Sequence, residues 1–317
     1  MRLFHGTENA DIARPTVLTL GVFDGLHLGH QFIMKTVVER ARAVGATPTV
    51  ITFEPHPRAV LHAESAPPLL QTFDQKIEAL GLLGIEQTIV IHFDKAFSEI
   101  RAEEFLRDVV VERLQAREIY LGRGFFFGHN REGNIDLLRK ISDRLGFLAD
   151  EVPEVQIRGE RVSSSRIREL ILRGRMNLAR RMLGRPYGVE GPVVRGAERG
   201  LQLGFPTANI QPHNRVIPRG GVYVTAALIE GHWRRSVTNI GTRPTFGDHL
   251  ESSVETHMID WSGNLYGNVV RVRFLHRLRD ERKFSSIDEL KNQIERDVAR
   301  GQRYFERAGV KRSLAIW

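Results

Sequence analysis

Apolar runs and amphipathic stretches alternate through the first half of the chain. Residues 16–23 (TVLTLGVF) are apolar almost without a break, as a strand covered on both faces would be. A glycine-rich turn follows, and residues 30–44 read as a helix. The alternation continues with strands over 47–53, 86–93, 118–122 and 153–157, and helices over 74–83, 102–115, 134–145 and 164–173. The last of these helices opens on a serine cluster suited to capping. Strands alternating with helices imply a parallel sheet with helices on both faces, and such sheets bind ligands beyond the carboxyl ends of their strands. The pattern changes near Leu183-Gly184-Arg185-Pro186. Short alternating runs at 188–194, 221–229, 233–240, 253–258 and 269–274 are separated by glycines and prolines, which predicts an antiparallel barrel or sandwich. A charged helix over 286–305 closes the chain. The expected division is 1–183 and 184–317.

Composition narrows the chemistry. At 317 residues, 41% hydrophobic and 26% charged, the chain has apolar material for two cores. It has no cysteine, which excludes disulfides, zinc ribbons, iron–sulfur clusters and thiol catalysis, and suits a cytoplasmic protein. No run approaches the roughly 18–20 apolar residues of a membrane helix, and the charged start does not read as a secretory signal, so no membrane association is expected. Forty-six basic residues against 38 acidic give a net charge of +8, which fits an anionic partner. Nucleic acid and a phosphorylated small molecule both meet that description. The positives are interleaved with acids rather than gathered into a tail, so the small molecule is expected and nucleic acid is not.

The segment Gly21-Val22-Phe23-Asp24-Gly25-Leu26-His27-Leu28-Gly29-His30 ends a strand, turns on glycines and opens a helix. Glycines let a phosphate approach the backbone, and the helix start offers unpaired N–H groups at the positive end of the dipole. His27 and His30, three residues apart, can both point at that phosphate and stabilise charge developing there. A zinc pair would need a third ligand that the neighbourhood does not supply; ordinary surface histidines are the remaining alternative. Farther on, Ser164 at a helix start with Arg168 one turn later makes a clamp suited to triphosphate oxygens.

These residues resemble the His-x-Gly-His signature of the nucleotidyltransferase superfamily. The longer match, Gly-x-Phe-Asp-Gly-x-His-x-Gly-His, is similar to the bifunctional prokaryotic riboflavin kinase/FMN adenylyltransferase family. Phe53-Glu54-Pro55-His56-Pro57 and Ser163-Ser164-Ser165-Arg166-Ile167-Arg168 fit the same branch. The resemblance implies a Rossmann-like α/β nucleotidyltransferase domain that transfers AMP to FMN. Gly21, Phe23, Asp24, Gly29, Ser164 and Arg168 would then bind nucleotide, His27 and His30 would act in catalysis, and Phe53, His56 and Phe125 would meet the flavin. In Leu121-Gly122-Arg123-Gly124-Phe125-Phe126-Phe127-Gly128 this chain departs from the family, which usually has an acidic or amide residue where Gly124 stands. A kinase-only protein with a weakened adenylyl site is the alternative this suggests. By packing statistics, Phe125–Phe127 read as core before they read as a stacking surface.

In the second half, Leu203-Gly204-Phe205-Pro206-Thr207-Ala208-Asn209 stands between strands. Thr207 and Asn209 are two residues apart, hence on one face if extended, and present hard oxygen donors suited to a partly hydrated Mg²⁺ on ATP phosphates. The same string is also ordinary turn chemistry. Gly220-Gly221-Val222-Tyr223, Asn239–Phe246, Val254-Glu255-Thr256-His257, Leu265-Tyr266-Gly267 and Arg279–Phe284 follow at spacings similar to the riboflavin kinase module. That likeness implies a C-terminal antiparallel β-barrel kinase domain with a terminal helix. Glu255 would be the general base on the ribityl hydroxyl, while Gly204, Pro206, Thr207 and Asn209 hold Mg-ATP and Arg279 and Phe284 meet the flavin. Leu201 stands where the family commonly has a basic residue.

Overall fold

The computed structural model describes residues 1–8, 11–196, 199–244 and 250–307. They form two compact units, one of residues 1–68 with 73–163, the other of residues 69–72 with 164 onward. The first unit contains β1 (Arg2–His5), β2 (Thr16–Leu20), α1 (Leu28–Val44), β3 (Thr47–Glu54), α2 (Pro57–Leu61), α3 (Phe73–Leu82) and β4 (Gln87–His92). After these come α4 (Lys95–Ser98), α5 (Ala102–Phe105), β5 (Ala116–Gly122), α6 (Ile135–Leu145), β6 (Leu148–Val152) and a two-residue hairpin, β7 (Gln156–Ile157) and β8 (Glu160–Arg161). Six strands make one parallel sheet in the order β1-β4-β3-β2-β5-β6.

All five residues of β2 are buried, the signature of a strand with helices on both sides. On one face Leu18, Leu20, Ile51, Ile89 and Ile119 pack with Phe105, Leu106, Val110, Leu138 and Ile141. The helix α1 covers the other face with Ile33, Met34, Val37, Val38 and Ala41, and ends on Gly45 at φ 63°.

Two local expectations are revised, and one strand is added. Of the strand expected at 153–157 only Gln156–Ile157 is strand, in the hairpin β7–β8; the sheet strand lies earlier, as β6, which pairs Leu148–Val152 with β5 and stops before Pro153, a residue with no N–H to donate. Its alternating exposure hides it from a search for apolar runs. The helix expected at 102–115 is α5 followed by a π-helical stretch, Leu106–Arg113. The added strand, β1, forms an edge beside β4.

The second unit contains α7 (Ser164–Leu172), α8 (Met176–Leu183), β9 (Tyr187–Val194), α9 (Arg199–Gln202), β10 (Ala208–Ile210), β11 (Gly221–Ile229), β12 (His232–Pro244), β13 (Leu250–Met258), β14 (Val269–Arg279) and α10 (Ile287–Arg307). Six antiparallel strands close into a barrel in the order β10-β13-β12-β11-β14-β9. The expected barrel and terminal helix are therefore present, with the three-residue β10 as a further strand that completes closure. Thr245 and Phe246 of the quoted motif lie outside the described residues.

Strand alternation sorts each residue to one side of the barrel wall. Inside, the hydroxyls of Thr225, Ser236, Thr238 and Thr256 are fully buried and hydrogen-bonded in a chain at 2.7–2.9 Å. Outside, Val224, Ala226 and Leu275 pack on Phe305 of α10, and Val222, Val237 and Ile259 on its Val298. Gly301 permits this approach, since a Cβ there would stand 2.9 Å from Val237 Cγ2.

Candidate active sites

In the first unit, β2 is flanked by β3 on one side and β5 on the other. The connection order reverses there, which opens a crevice at the carboxyl end of β2. The turn that fills this position is held by unusual backbone: Phe23, Gly25 and Leu26 have φ values of 52°, 80° and 37°. Gly21 is required by contact, because a Cβ would lie 2.9 Å from the Phe23 ring. His27 caps α1, its Nδ1 accepting from the His30 N–H at 3.3 Å. The two imidazoles stack at 3.6 Å, and the Phe23 ring meets His30 edge-on at 5.2 Å. Asp24 and His27 are buried, while His30 and Gly29 are half-buried. The structure thus gathers Gly21, Phe23, Asp24, His27, Gly29 and His30 in one turn at the start of α1, where the helix dipole favours an anion.

The residues expected to meet flavin in this unit lie in three settings. Phe53 is 7% exposed and packs against Phe93 and Phe97 at 5.9 and 6.1 Å. Phe125 lies against the same core and stacks on Phe127 at 6.4 Å, whereas Phe126 is exposed beneath Arg131. His56 caps α2 through a 3.0 Å bond from the Arg58 N–H. Gly124 has φ 71° with open space where a Cβ would stand, and its N–H donates to Glu151 Oε1 at 3.3 Å. A left-handed backbone accepts Gly, Asn or Asp most readily, which accounts for both the residue seen here and the family's usual choice. Ser164 and Arg168 lie one turn apart on α7, in the second unit.

On the barrel, Thr256 is buried inside, so Glu255 projects outward. Asn209 on β10 and Asn239 on β12 are its direct cross-strand partners. The three side chains form one half-buried row on the outer wall. Thr207, two residues before Asn209, extends the row.

A glycine-bearing segment folds back over it. A Cβ at Gly196 would stand 2.6 Å from Asn209 Oδ1, and one at Gly200 would stand 3.2 Å from Thr207 Oγ1. Gly204, at φ 85°, lets the segment turn back toward Pro206. His257 braces the next residues, its Nδ1 2.9 Å from the Pro206 carbonyl and its ring edge-on to Phe205 at 5.5 Å.

A cavity of about 410 Å³ opens at the Thr207–Asn209 end of this row, lined by Thr207, Asn209, Met258, Trp261 and Tyr266 among others. Leu201 is exposed at its edge. Nearby, Arg279 is fixed by Asp297 of α10 at 2.7 Å and lies 5.8 Å from the Phe284 ring. Arg277 pairs with Asp280 at 2.7 Å and holds that carboxyl below its ordinary range.

Sequence spacing did not single out Asn239 as a partner of Glu255, Gly196 as the cover of Asn209, or the Glu281 carboxylate. That carboxylate sits 2.8 Å from where a Gly241 Cβ would be. Only barrel register and chain reversal bring these residues to the site.

A glycine-rich turn opening a helix at a parallel-sheet switch point, and a barrel with a carboxylate–amide row that reaches a cavity, point to a class of two-site phosphotransfer proteins. The comparisons agree. Family models described as FAD synthetase and riboflavin kinase match residues 9–166 and 183–305. Bifunctional riboflavin kinase/FMN adenylyltransferase of Haemophilus influenzae is 37% identical over 307 residues, covering 96% of this chain and 99% of that protein. The Pseudomonas fluorescens protein of the same description is 36% identical, covering 94% and 96%. A solved structure described as a macrolide-efflux protein from Streptococcus pneumoniae has the same fold, with a TM-score of 0.85 and 29% identity over 95% of this chain and 98% of that one. The chain belongs to the bifunctional riboflavin kinase/FMN adenylyltransferase family. Matches to both modules favour the two-activity reading over the kinase-only alternative. Among the described residues, no helix is long and apolar enough to cross a membrane.

Proposed function

We propose that the barrel phosphorylates riboflavin with ATP and that the α/β unit transfers AMP from a second ATP to the resulting FMN, giving FAD and pyrophosphate, in the cytoplasm. The observation that carries the kinase reading is the outward row of Asn209, Glu255 and Asn239, whose Asn209 end lines the cavity. Glu255 accepts the proton from the ribityl hydroxyl as that oxygen attacks the γ-phosphorus. It stands on a strand hydrogen-bonded on both sides, so its position is fixed before substrate arrives. Arg279 and Phe284 offer a guanidinium and an aromatic face to the flavin, and Gly204 and Pro206 shape the turn that bounds the nucleotide.

Thr207 and Asn209 suit Mg²⁺. They are neutral oxygen donors two residues apart, both half-buried on one face. A magnesium ion there would neutralise charge on the transferring phosphates.

At the first site His27 and His30 donate to the α-phosphate and the departing pyrophosphate, while the α1 N-terminus binds triphosphate oxygens. Gly21, Phe23, Asp24 and Gly29 shape that turn, and Ser164 and Arg168 are proposed nucleotide contacts. His56, Phe53 and Phe125 are proposed on the flavin side, the last two chiefly through the packing that fixes the surrounding loops. A time course with riboflavin, magnesium and ATP, resolved chromatographically, tests the whole reading. FMN should rise first and FAD follow from it. Absence of FMN would overturn the kinase assignment, and FMN without FAD the adenylyl assignment.

A further inference from the structure

Helix α3 turns one charged side chain into the protein. Lys76 is 6% exposed and is the only buried lysine among the described residues. Burying an ammonium costs several kcal/mol unless partners replace its water, so its surroundings indicate why it is there. Its Nζ lies 4.0 Å from Glu54 Oε2 at the end of β3 and donates to Thr52 Oγ1 at 3.4 Å. The Thr52 hydroxyl in turn donates to the Val22 carbonyl at 3.4 Å. Asp24 adds a second negative charge acting on the ammonium. Burial lowers the Lys76 pKa, and the Glu54 and Asp24 carboxylates oppose that shift.

Val22 and Asp24 belong to the turn that positions His27 and His30, and Glu54 directly precedes Pro55-His56. One buried cation is therefore linked both to the histidine turn and to the corner after β3. The turn holds Phe23 and Leu26 in left-handed backbone, a conformation that persists only when the surroundings enforce it.

We propose that Lys76 is a positioning residue for AMP transfer, its ammonium holding the Val22–Gly25 turn through Thr52 and Asp24, and the Glu54–His56 corner through Glu54. The inference rests on the adenylyltransferase reading of this site. Lys76 acts through these groups and need not touch nucleotide.

The test measures FAD formation from supplied FMN, and riboflavin phosphorylation, in the full chain. Lys76→Met keeps length and loses charge; it should lower kcat for FAD formation by roughly 30–100-fold, the scale of an approximately 1 Å misplacement. KM values for FMN and ATP should stay within about threefold, and riboflavin phosphorylation should not change. Lys76→Arg, which keeps the charge, should recover most of the loss. Thr52→Val breaks the link to Val22 without touching the charge and should cost roughly tenfold in kcat; it decides the matter if Lys76→Met does not fold.

Wild-type protein that makes FAD, beside a Lys76→Met variant with near-normal kcat, would overturn this inference alone. Equal losses in Lys76→Met and Lys76→Arg, or normal kcat in Thr52→Val, would also overturn it. Wild-type protein that makes no FAD from FMN would remove the reading on which it stands.

Discussion

Replacing Gly196 by alanine tests the kinase site at a position that sequence alone would pass over. The new Cβ would stand 2.6 Å from Asn209 Oδ1 and closer still to its Cγ and Nδ2. An ordinary non-bonded separation is roughly 3.5 Å, so Asn209 or the covering segment must give way by about 1 Å. Asn209 pairs directly with Glu255, and displacement at a site of this kind costs about 10²-fold in rate. The expected result is a fall of about two orders of magnitude in kcat/KM for riboflavin phosphorylation. FMN adenylylation in the same preparation should be unchanged and serves as the internal control. A cycle with Asn209→Ala sharpens the test: if Gly196 acts through Asn209, the double variant should be little worse than Asn209→Ala alone. Phosphorylation within about threefold of wild type in Gly196→Ala, or fully additive losses in the cycle, would refute the argument.

Glu255→Ala should lower riboflavin phosphorylation by about 10²–10⁴-fold while leaving FAD formation from FMN intact, and a loss below about tenfold would reject its role as base. Replacing His27 and His30 together should abolish FAD synthesis and spare the kinase; the two activities, assayed side by side, check this directly. Glu118 is 4% exposed and accepts from Arg40 at 2.8 and 2.6 Å and from Tyr120 at 2.7 Å, so the Arg40 guanidinium holds its carboxyl below the usual range. Its contribution is fully present above about pH 4.5 and is lost as pH falls through the depressed native value. Glu118→Gln should therefore destabilise the first unit at neutral pH by about 1–3 kcal/mol, toward the low end because Arg40 is half-exposed. Thermal melts should show the gap between variant and wild type narrowing in acid.

The hydrophobic pattern by itself determined most of the layout. Buried parallel strands carry nearly continuous apolar runs such as 16–23, while barrel strands alternate between glycines, so each announces itself locally. The His27–His30 turn was legible for the same reason: its glycines, its cap and its phosphate chemistry all fall within ten consecutive residues. What lay beyond the sequence depends on contacts between distant residues. The edge strands β1 and β6 owe their existence to pairing with β4 and β5, and β10 is too short to show a period of its own. The alignment of Asn209 and Asn239 on either side of Glu255 is a matter of barrel register, where a slip of one residue would turn the carboxylate inward. Phe53 and Phe125 have aromatic rings that could serve a flavin or a core, and only packing against Phe93, Phe97 and Phe127 distinguishes their surroundings. Lys76 looks like any surface lysine on an amphipathic helix until the fold brings Thr52, Glu54 and Asp24 around it. Local periodicity is written in neighbours along the chain; register, burial and charge pairing arise between segments far apart in it, and those were settled by the folded structure.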